Sequence, residues 1–316
     1  MRICLLGATG TIGRAVRHEL AACGHELVCL VRQAPATGLD NATFRMVDVT
    51  NAAALARDGF RGESFDAVVS CMASRTGVPE DAWAIDYRAH LTVLEMARKS
   101  GVGQFVLLSA LCVQKPLLAF QHAKLAFEAA LIGSGMKFSI VRPTAFFKSL
   151  SGQIARVRAG KPFLIFGDGS LTACKPISDR DLARYLADCL DDPSRWNRIL
   201  PIGGPGPAIT PRAQGQMLFD LLNQPARFRS VPVGLLDAII AALTLAGRFK
   251  TSLAAKAELA LIGRHYATQS MLVLDPATGQ YNEAATPSTG RDTLLDHYRA
   301  IIAGTATAER GDHAVF

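Results

Sequence analysis

Short apolar runs alternate with amphipathic segments up to about residue 205 of the chain. The runs are rich in Val, Ile, Leu and Phe, which predicts strands, whereas apolar residues spaced three and four apart between them predict helices. Strands that are apolar almost throughout are typical of a parallel sheet covered by helices on both faces. The predicted strands are RICLLG, ELVCLV, FRMVDV, FDAVVSCMA, QFVLLSA, FSIVRP and RILPIGG.

The pattern changes after residue 205 to helices separated by turns that contain proline. One helix is predicted to begin after an N-capping Thr210, and LDPATGQY is predicted to form a turn between extended pieces. The apolar stretch 234–247 contains Asp237 and is shorter than the roughly 20 residues that span a bilayer. The wider region 234–264 fits a lid, a helix pair on a membrane surface, or plain packing over the core.

Three glycines, Gly7, Gly10 and Gly13, directly follow the first strand and open the first helix. Glycines allow a tight turn and a close approach of backbone to a pyrophosphate, which then lies on the helix N-terminus. The spacing is GxxGxxG rather than the commoner GxGxxG, but the strand–turn–helix context is the required one. We therefore expect an α/β protein with a Rossmann-type, doubly wound parallel sheet. Its predicted cofactor loop comprises Gly7, Thr9, Gly10, Thr11, Ile12 and Gly13.

The expected domain organisation follows from these patterns. Residues 1–205 form the dinucleotide-binding domain, with substrate-facing loops near 144–177. Residues 206–303 form a smaller, mainly helical C-terminal lobe that binds substrate. Residues 304–316 show no periodicity and are expected to form a mobile tail.

Arg32 follows the second strand, where an NAD enzyme would usually carry an acidic residue for the ribose diol. A carboxylate there would repel a 2′-phosphate, whereas a guanidinium pairs with it, so NADP(H) is favoured over NAD. The carboxyl ends of parallel strands form the ligand-binding edge of such a sheet. We therefore expect Asp48 and Val49 near the adenine, and Cys71 and Met72 near the nicotinamide ribose.

The segment SALCVQKPLLAFQHAKLAFE resembles the catalytic segment of a short-chain dehydrogenase without its acid. In that superfamily a strand-end Ser precedes Tyr-x-x-x-Lys on a helix. Here Ser109 and Lys124 are the catalytic candidates, and Phe120 stands in place of the tyrosine. Lys124 beside the nicotinamide ribose would hold its hydroxyls and supply positive charge, although the spacing also fits a surface lysine on an amphipathic helix. A carbonyl reductase needs the phenol to protonate an alkoxide, so its absence indicates another reaction or nucleotide binding without catalysis.

Four longer blocks make the resemblance specific: LLSALCVQKPLLAFQHAKLAFE, FSIVRPTAFFKSL, FGDGSLTACKPISDRDLA and LVLDPATGQYNEAATPSTGRDTL. They resemble the NADPH-dependent divinyl chlorophyllide a 8-vinyl reductases, atypical short-chain dehydrogenases close to the NmrA-like and isoflavone-reductase-like groups. The resemblance implies that NADPH reduces the 8-vinyl group of a magnesium chlorin to ethyl during chlorophyll or bacteriochlorophyll synthesis. Two other functions stay open, an NmrA-like redox sensor that binds NADP(H) without catalysis and an isoflavone-reductase-like enzyme acting on a small enone.

A flat, apolar tetrapyrrole requires a pocket with apolar walls and a few polar groups. Phe120 is expected to pack against the macrocycle. The other substrate-contacting candidates follow the sixth strand or lie in a second loop facing the same edge: Phe146, Phe147, Lys148, Cys174 and Lys175. Because the macrocycle can spread the charge left by hydride addition, the product needs no phenol. Proton delivery is open between water, Cys112, His122 and Cys174.

Composition adds limits on partners and location. The chain has 34 basic and 27 acidic residues, without a basic stripe interleaved with aromatics, so nucleic acid is not an expected partner. The seven cysteines lack CxxC spacing and the seven histidines lack metal-ligand spacing, so we expect reduced thiols and no metal site. The first strand leaves no room for a signal peptide, which favours a cytoplasmic location. Peripheral contact with the photosynthetic membrane and the oligomeric state stay open.

Overall fold

The computed structural model describes residues 1–33 and 42–307. Its strands, in chain order, are β1 (Arg2–Leu6), β2 (Glu26–Val31), β3 (Ala42–Met46), β4 (Ala67–Ser70), β5 (Gln104–Leu108), β6 (Lys137–Pro143), β7 (Phe163–Phe166), β8 (Arg198–Ile202), β9 (Phe228–Val231), β10 (Val273–Leu274) and β11 (Tyr281–Asn282).

The α-helices are α1 (Thr11–Ala22), α2 (Ala52–Ala54), α3 (Pro79–Ala82), α4 (His90–Lys99), α5 (Ala119–Ile132), α6 (Ile154–Arg158), α7 (Asp179–Asp191), α8 (Pro211–Leu221), α9 (Val233–Gly247), α10 (Thr251–Thr268) and α11 (Leu294–Ile302). Two π-helical segments, Leu55–Phe60 and Trp83–Ala89, directly follow α2 and α3. Short 3₁₀ turns span Leu111–Gln114, Phe147–Leu150 and Pro193–Arg195.

All seven strands predicted up to residue 205 lie in one parallel sheet, in the order β3-β2-β1-β4-β5-β6-β8. The strand order reverses between β1 and β4, and ligands of such sheets bind outside the carboxyl ends of the strands at this switch point. One predicted boundary is wrong. FRMVDV was expected to be a strand throughout, but β3 ends at Met46, so Asp48 and Val49 lie just beyond it.

The sheet is buried on both faces, which confirms the predicted doubly wound arrangement. One face packs against α1 and α7 through side chains such as Leu20 and Leu186. The other packs against α4 and α5 through side chains such as Val93 and Phe127. This two-sided burial explains why the strands are apolar almost throughout.

The C-terminal lobe has a core of its own around Tyr298, which is completely buried. The Tyr298 hydroxyl donates to the Leu150 carbonyl at 2.6 Å and accepts from Gln214 Nε2 at 2.7 Å. Strands β7 and β9 form a separate parallel pair beside it. Residues of 147–166 share this core with α8 and α11, because apolar side chains such as Ile154 need a partner surface. The lobe therefore draws on residues before the predicted division at 205.

Several local expectations after residue 205 can be compared with the structure. The Thr210 hydroxyl accepts from the Ala213 N–H at 3.2 Å and begins α8, which confirms the predicted cap. The LDPATGQY turn joins β10 to β11, and region 234–264 contains the helix pair α9 and α10. Of the predicted tail, residues 304–307 lie beside α11, where the Thr305 N–H donates to the Ala300 carbonyl at 3.0 Å. Residues 308–316 lie outside the described residues.

Candidate active site

The glycine loop between β1 and α1 has the close approaches that the sequence indicated. Gly7 has a φ of +73°, and a Cβ there would lie 2.6 Å from the carbonyl carbon of Cys71. A Cβ on Gly13 would lie 1.9 Å from the Gly7 carbonyl oxygen. The Gly10 N–H donates to the same oxygen at 3.0 Å, and no described side chain caps α1. The first turn of α1 thus presents backbone N–H groups and the positive end of the helix dipole to an anionic ligand.

The other predicted residues of this loop divide by exposure. Thr9 is exposed, Thr11 is half-buried at the first position of α1, and Ile12 belongs to the core beneath the sheet face. Thr9 and Thr11 are therefore placed to meet a phosphate, whereas Ile12 can contribute only its backbone.

Arg32 and Asp48 lie close enough to influence each other beyond the ends of β2 and β3. Both side chains are exposed. Hydrogen bonds from the hydroxyl and N–H of Thr50 lower the pKa of Asp48, and the Arg32 charge acts in the same direction. Val49, by contrast, is buried in the core. Arg32 therefore presents a guanidinium at the predicted adenine end of the site.

Lys124 forms an ion pair that sequence reasoning missed. Its Nζ donates to Asp86 Oδ1 at 2.9 Å, and its side chain is 13% exposed against 0% for Asp86. The Ser74 N–H donates to the same oxygen at 3.3 Å, just beyond the β4 end where Cys71 and Met72 were expected near the nicotinamide ribose. Burial acts to raise the pKa of Asp86, but Lys124 and Ser74 outweigh it and the pKa lies below its ordinary value. Lys124 is therefore a partly buried member of a charge pair at the ligand edge, not a surface lysine.

The Ser109 side chain belongs to a buried polar network at the end of β5. Its hydroxyl donates to Glu128 Oε1 at 2.5 Å. Glu128, on α5 and 2% exposed, also accepts two hydrogen bonds from the Arg142 guanidinium. This arrangement favours a structural role for Ser109 in place of the predicted catalytic one.

Phe120 lies beneath α10. Its side chain is 9% exposed and packs in a cluster that contains Cys112 and Ile262. The neighbouring Gln121 donates through Nε2 to the Cys112 carbonyl at 2.8 Å and to His265 Nε2 of α10 at 3.1 Å. Side chains of α10 thus pack against the first turn of α5 beside Phe120, which leaves the Phe120 ring largely buried.

The three candidate proton donors have different surroundings. Cys112 is 4% exposed, its Sγ lies 3.9 Å from the Tyr266 hydroxyl, and burial raises the pKa of its thiol. Burial likewise raises the pKa of Cys174 to about 12. Both thiols are therefore protonated at neutral pH, the form that a proton donor needs. His122 lies on the exposed side of α5, which argues against it.

The Lys148 amine lies beside the glycine loop, at the start of α1. Its Nζ donates to Thr11 Oγ1 at the start of α1. Both residues line a cavity of about 420 Å³, whose other lining residues are Ser151, Asp179, His297 and 304–307. A cation at a helix N-terminus is suited to a phosphate group. The position therefore argues against a role with the substrate carboxylate.

The aromatic pair before Lys148 separates into one half-buried and one core residue. Phe146 is half-buried against the sheet core. Phe147 is 4% exposed, with its ring centroid 5.3 Å from that of His297. Because Phe147 packs in the C-terminal core, its position argues against the predicted substrate contact. Phe146 is partly exposed and stays a candidate for that contact.

Lys175 is used to hold the C-terminal segment. It is 8% exposed, and its Nζ donates to the Thr286 carbonyl at 3.0 Å and to Ser288 Oγ at 3.3 Å. Cys174 bridges to Ile209 and to Met271 through its backbone. These contacts argue against Lys175 as a partner of the substrate carboxylate. In the ranges 1–33 and 42–307, no group of three His, Cys, Asp or Glu side chains is placed to hold a metal ion.

Comparison with known proteins agrees with this geometry. The model of a family described as NAD(P)H-binding matches residues 7–193. Divinyl chlorophyllide a 8-vinyl-reductase, chloroplastic, of Oryza sativa subsp. indica is 48% identical over 99% of this chain and 82% of its own length. The Arabidopsis thaliana protein of the same name is 44% identical over 99% of this chain and 79% of its own. Among solved structures, the NADPH-dependent quinone oxidoreductase QOR2 of Escherichia coli, complexed with NADPH, has a TM-score of 0.68 at 18% identity, covering 95% of this chain and 99% of that one.

The fold and the glycine loop therefore define an NAD(P)H-binding protein with a Rossmann-type sheet. Within that class, the chain belongs to the divinyl chlorophyllide a 8-vinyl-reductase family of oxidoreductases. The resemblance seen in the four sequence blocks is confirmed.

The Ser109 network leads to a test of structural against catalytic roles. Ser109→Ala removes one hydrogen bond to a charged group, so we expect the free energy of unfolding to fall by about 1.5–3 kcal/mol. Arg142→Leu leaves Glu128 buried and unpaired and should cost about 3–5 kcal/mol. Urea unfolding measures both. Turnover of Ser109→Ala should stay within the wild-type order of magnitude; a collapse of turnover at unchanged stability would make Ser109 catalytic.

Proposed function

We propose that this protein uses NADPH to reduce the 8-vinyl group of divinyl chlorophyllide a, or of a closely related magnesium tetrapyrrole, to ethyl. The observation that carries the proposal is the 48% identity over 99% of the chain to the rice protein of that name. The site supports it, because Lys124 lies at the ligand edge and the phenol of carbonyl reductases is replaced by Phe120 in apolar surroundings.

The chemistry explains why a phenylalanine suffices. The reaction adds a hydride and a proton across the vinyl double bond, and NADPH supplies the hydride. Addition to the terminal carbon leaves an electron pair on the carbon attached to the macrocycle, which delocalises the charge. A proton from water or from the Cys112 thiol then forms the second C–H bond. No alkoxide arises, so Phe120 need only keep the region apolar.

The cofactor end of the site supports NADPH and gives Lys148 a new assignment. Arg32 presents its guanidinium where the 2′-phosphate is expected, and α1 presents its N-terminus to the pyrophosphate. Because Lys148 donates to Thr11 at that same terminus, we assign it to the pyrophosphate. The two cations then act on different phosphates of one cofactor.

Cofactor binding distinguishes these two roles. Arg32→Ala should weaken NADPH by roughly 1.5–3 kcal/mol and leave NADH nearly unchanged, because NADH has no 2′-phosphate. Lys148→Met should weaken both dinucleotides alike, because both carry the pyrophosphate. Calorimetric titration of the two variants measures this. Equal losses of NADPH and NADH in Arg32→Ala would place Arg32 in a structural role.

Turnover tests the proposed reaction. The purified protein should convert divinyl chlorophyllide a and NADPH to the ethyl product, resolved by chromatography.

Phe120→Tyr should not accelerate this reaction, and an unpaired hydroxyl in the Phe120 cluster should cost about 1–3 kcal/mol of stability. Lys124→Ala should lower turnover strongly, because cofactor positioning is lost. Dinucleotide binding without any vinyl reduction would contradict the proposal, and a tenfold gain in Phe120→Tyr would contradict the argument from charge delocalisation.

Helix α9 is the basis of a further part of the proposal, peripheral contact with a membrane. None of its 15 residues, all of them described, is buried, and its one charged residue, Asp237, pairs with Arg264 of α10. The two helices approach closely beside the turn that joins them, since a Cβ on Gly247 would lie 2.9 Å from the backbone of Ala254. Helix α10 in turn packs on the body of the protein through side chains such as Ile262. Plain packing therefore accounts for α10 but not for α9.

The exposed face of α9 is apolar with basic residues at its end. Exposed fractions are 52%, 41% and 61% for Leu235, Ile239 and Leu245 of α9, and 89% for Phe249 just beyond its end. Arg248, Lys250 and Lys256 are exposed nearby. Apolar side chains flanked by cations are typical of helices that lie in the surface of an anionic bilayer. The described helices include none that is long and apolar enough to cross one.

Vesicle binding tests the α9 contact. Wild-type protein should co-sediment with vesicles that contain phosphatidylglycerol. Leu245→Glu/Phe249→Glu should lower the affinity for these vesicles at least tenfold, because burial of the two apolar side chains in the bilayer contributes several kcal/mol to binding. Leu171→Glu, at a leucine 48% exposed elsewhere, is the matched control. Equal sedimentation of the double variant and the control would show that α9 does not touch the lipid.

A further inference from the structure

The orientation of the Gln121 side-chain amide is fixed by backbone groups. Its Oε1 accepts from the Leu117 N–H at 2.7 Å and from the Leu118 N–H at 2.9 Å, so the oxygen and the nitrogen cannot be exchanged. Its Nε2 therefore faces the Cys112 carbonyl at 2.8 Å and His265 Nε2 at 3.1 Å. Because an amide nitrogen only donates hydrogen bonds, His265 Nε2 accepts and carries no proton.

This contact determines which nitrogen of the His265 ring carries a proton. Burial lowers the pKa of His265 to about 4, so the ring is neutral at neutral pH and its single proton lies on Nδ1. The residue is 5% exposed, and Nδ1 is buried with no hydrogen-bond partner among the described residues. A buried N–H without an acceptor is costly, and such groups are normally satisfied by a ligand or by water. His265 therefore has a donor for which the described chain provides no acceptor.

A lysine without a carboxylate partner lies close to this donor. Lys115 directly follows the 3₁₀ turn after β5, and its Nζ donates to Gln269 Oε1 at 2.9 Å. The Gln269 N–H in turn donates to the His265 carbonyl at 2.8 Å, and the Lys115 charge acts on the His265 ring. None of the ion pairs in the described part of the chain includes Lys115. An ammonium has three N–H donors, so Lys115 keeps donors for another acceptor.

The surroundings of the two donors indicate the chemistry of their ligand. Lys115 lies in the segment that joins β5 to α5 at the ligand edge of the sheet, and His265 lies where α10 packs on α5. The cluster beside them is apolar and contains Phe120, Met271 and the partly buried Trp83. A carboxylate can accept from both an ammonium and a neutral N–H through its two oxygens. The arrangement therefore fits an apolar ligand that carries a carboxylate.

We propose that Lys115 Nζ and His265 Nδ1 bind the carboxylate of the substrate, the propionate that divinyl chlorophyllide a carries at the edge of its macrocycle. This inference rests on the proposed function and deepens it, because it assigns the charged end of the substrate to two residues. Lys148 and Lys175 do not fill this role, since their amines are held by Thr11 and by the Thr286 carbonyl. The site then prefers the free acid to an ester, which lacks the negative charge.

Two ligands that differ only at this group test the assignment: divinyl chlorophyllide a and the methyl ester of its propionate. Titration followed by the fluorescence of the chlorin gives both affinities without turnover. The wild type should bind the acid about 10- to 100-fold more tightly than the ester, the range for one hydrogen bond to a charged group. Lys115→Met, and His265→Phe, which keeps a ring but has no nitrogen, should each lower this ratio by about threefold or more.

Lys99→Met is the matched control, because it removes the same charge at an exposed lysine. Lys99 ends α4, which leads into β5, so it lies at the opposite, amino edge of the sheet. The control should keep the wild-type ratio of acid to ester affinity. A ratio lowered as much by Lys99→Met as by Lys115→Met would overturn the inference, because it would indicate a general effect of net charge.

The ratio separates carboxylate binding from a packing defect, because a packing defect weakens acid and ester alike. Equal affinity of the wild type for acid and ester would overturn the inference. An unchanged ratio in Lys115→Met or in His265→Phe would also overturn it, since the donor removed would then meet only water. Binding of the acid in preference to the ester, without vinyl reduction, would contradict the proposed reaction and leave this inference standing. The two failures are therefore distinguishable.

Discussion

The close approach of backbone segments at the carboxyl edge of the sheet is the constraint on which the site depends. Gly7 lies against the end of β4, and Gly13 lies against Gly7, at separations that no Cβ would allow. This contact fixes the N-terminus of α1 beside the residues that follow β4. Because the sheet is parallel and buried on both faces, the segment after β5 reaches the same edge. Backbone packing thus determines the space that is left for the phosphates and ribose of a dinucleotide, independently of the polar side chains.

Helix α5 connects this edge to the rest of the molecule through four side chains. Phe120 meets the apolar side chains of α10, and Gln121 donates to His265 of the same helix. One turn on, Lys124 pairs with Asp86, and one turn further Glu128 binds Arg142 of β6. Helix α5 thus carries side chains that contact α10, Asp86 and β6.

The sheet, the glycine loop and the Thr210 cap could be predicted because each depends on local pattern. Apolar runs indicate buried strands, and the glycine spacing indicates where two backbone segments lie close together. Side-chain partners were harder, since they join residues far apart in sequence: Lys148 meets Thr11, and Lys175 meets Thr286. The sequence pattern predicted that both lysines lie in loops at the carboxyl edge of the sheet, but it could not show which groups their amines contact.

Asp86 is another residue whose side-chain partner, Lys124, lies far from it in the sequence. It falls in helical register with the buried residues Ala82, Ala89 and Val93, so an acidic side chain interrupts an otherwise apolar stripe. An ionisable group at such a position must be paired or bind a ligand. The interruption can be recognised only once the helix is known to begin before Asp86, because an acidic residue at the first position of a helix is ordinary, so both the signal and the partner required the fold.

The Asp86–Lys124 pair also restricts the chemistry that the site can support. A lone ammonium near the reacting carbon would stabilise a localised anion, but here a carboxylate 2.9 Å away balances most of that charge. With Phe120 in place of a phenol, the site offers neither a strong acid nor a net positive charge at this point. Such a site is poorly suited to an alkoxide, whose charge stays on one oxygen. It suits a reaction in which the substrate itself delocalises the charge, as a conjugated macrocycle does, and under the proposed function the lysine then serves to hold the cofactor in place.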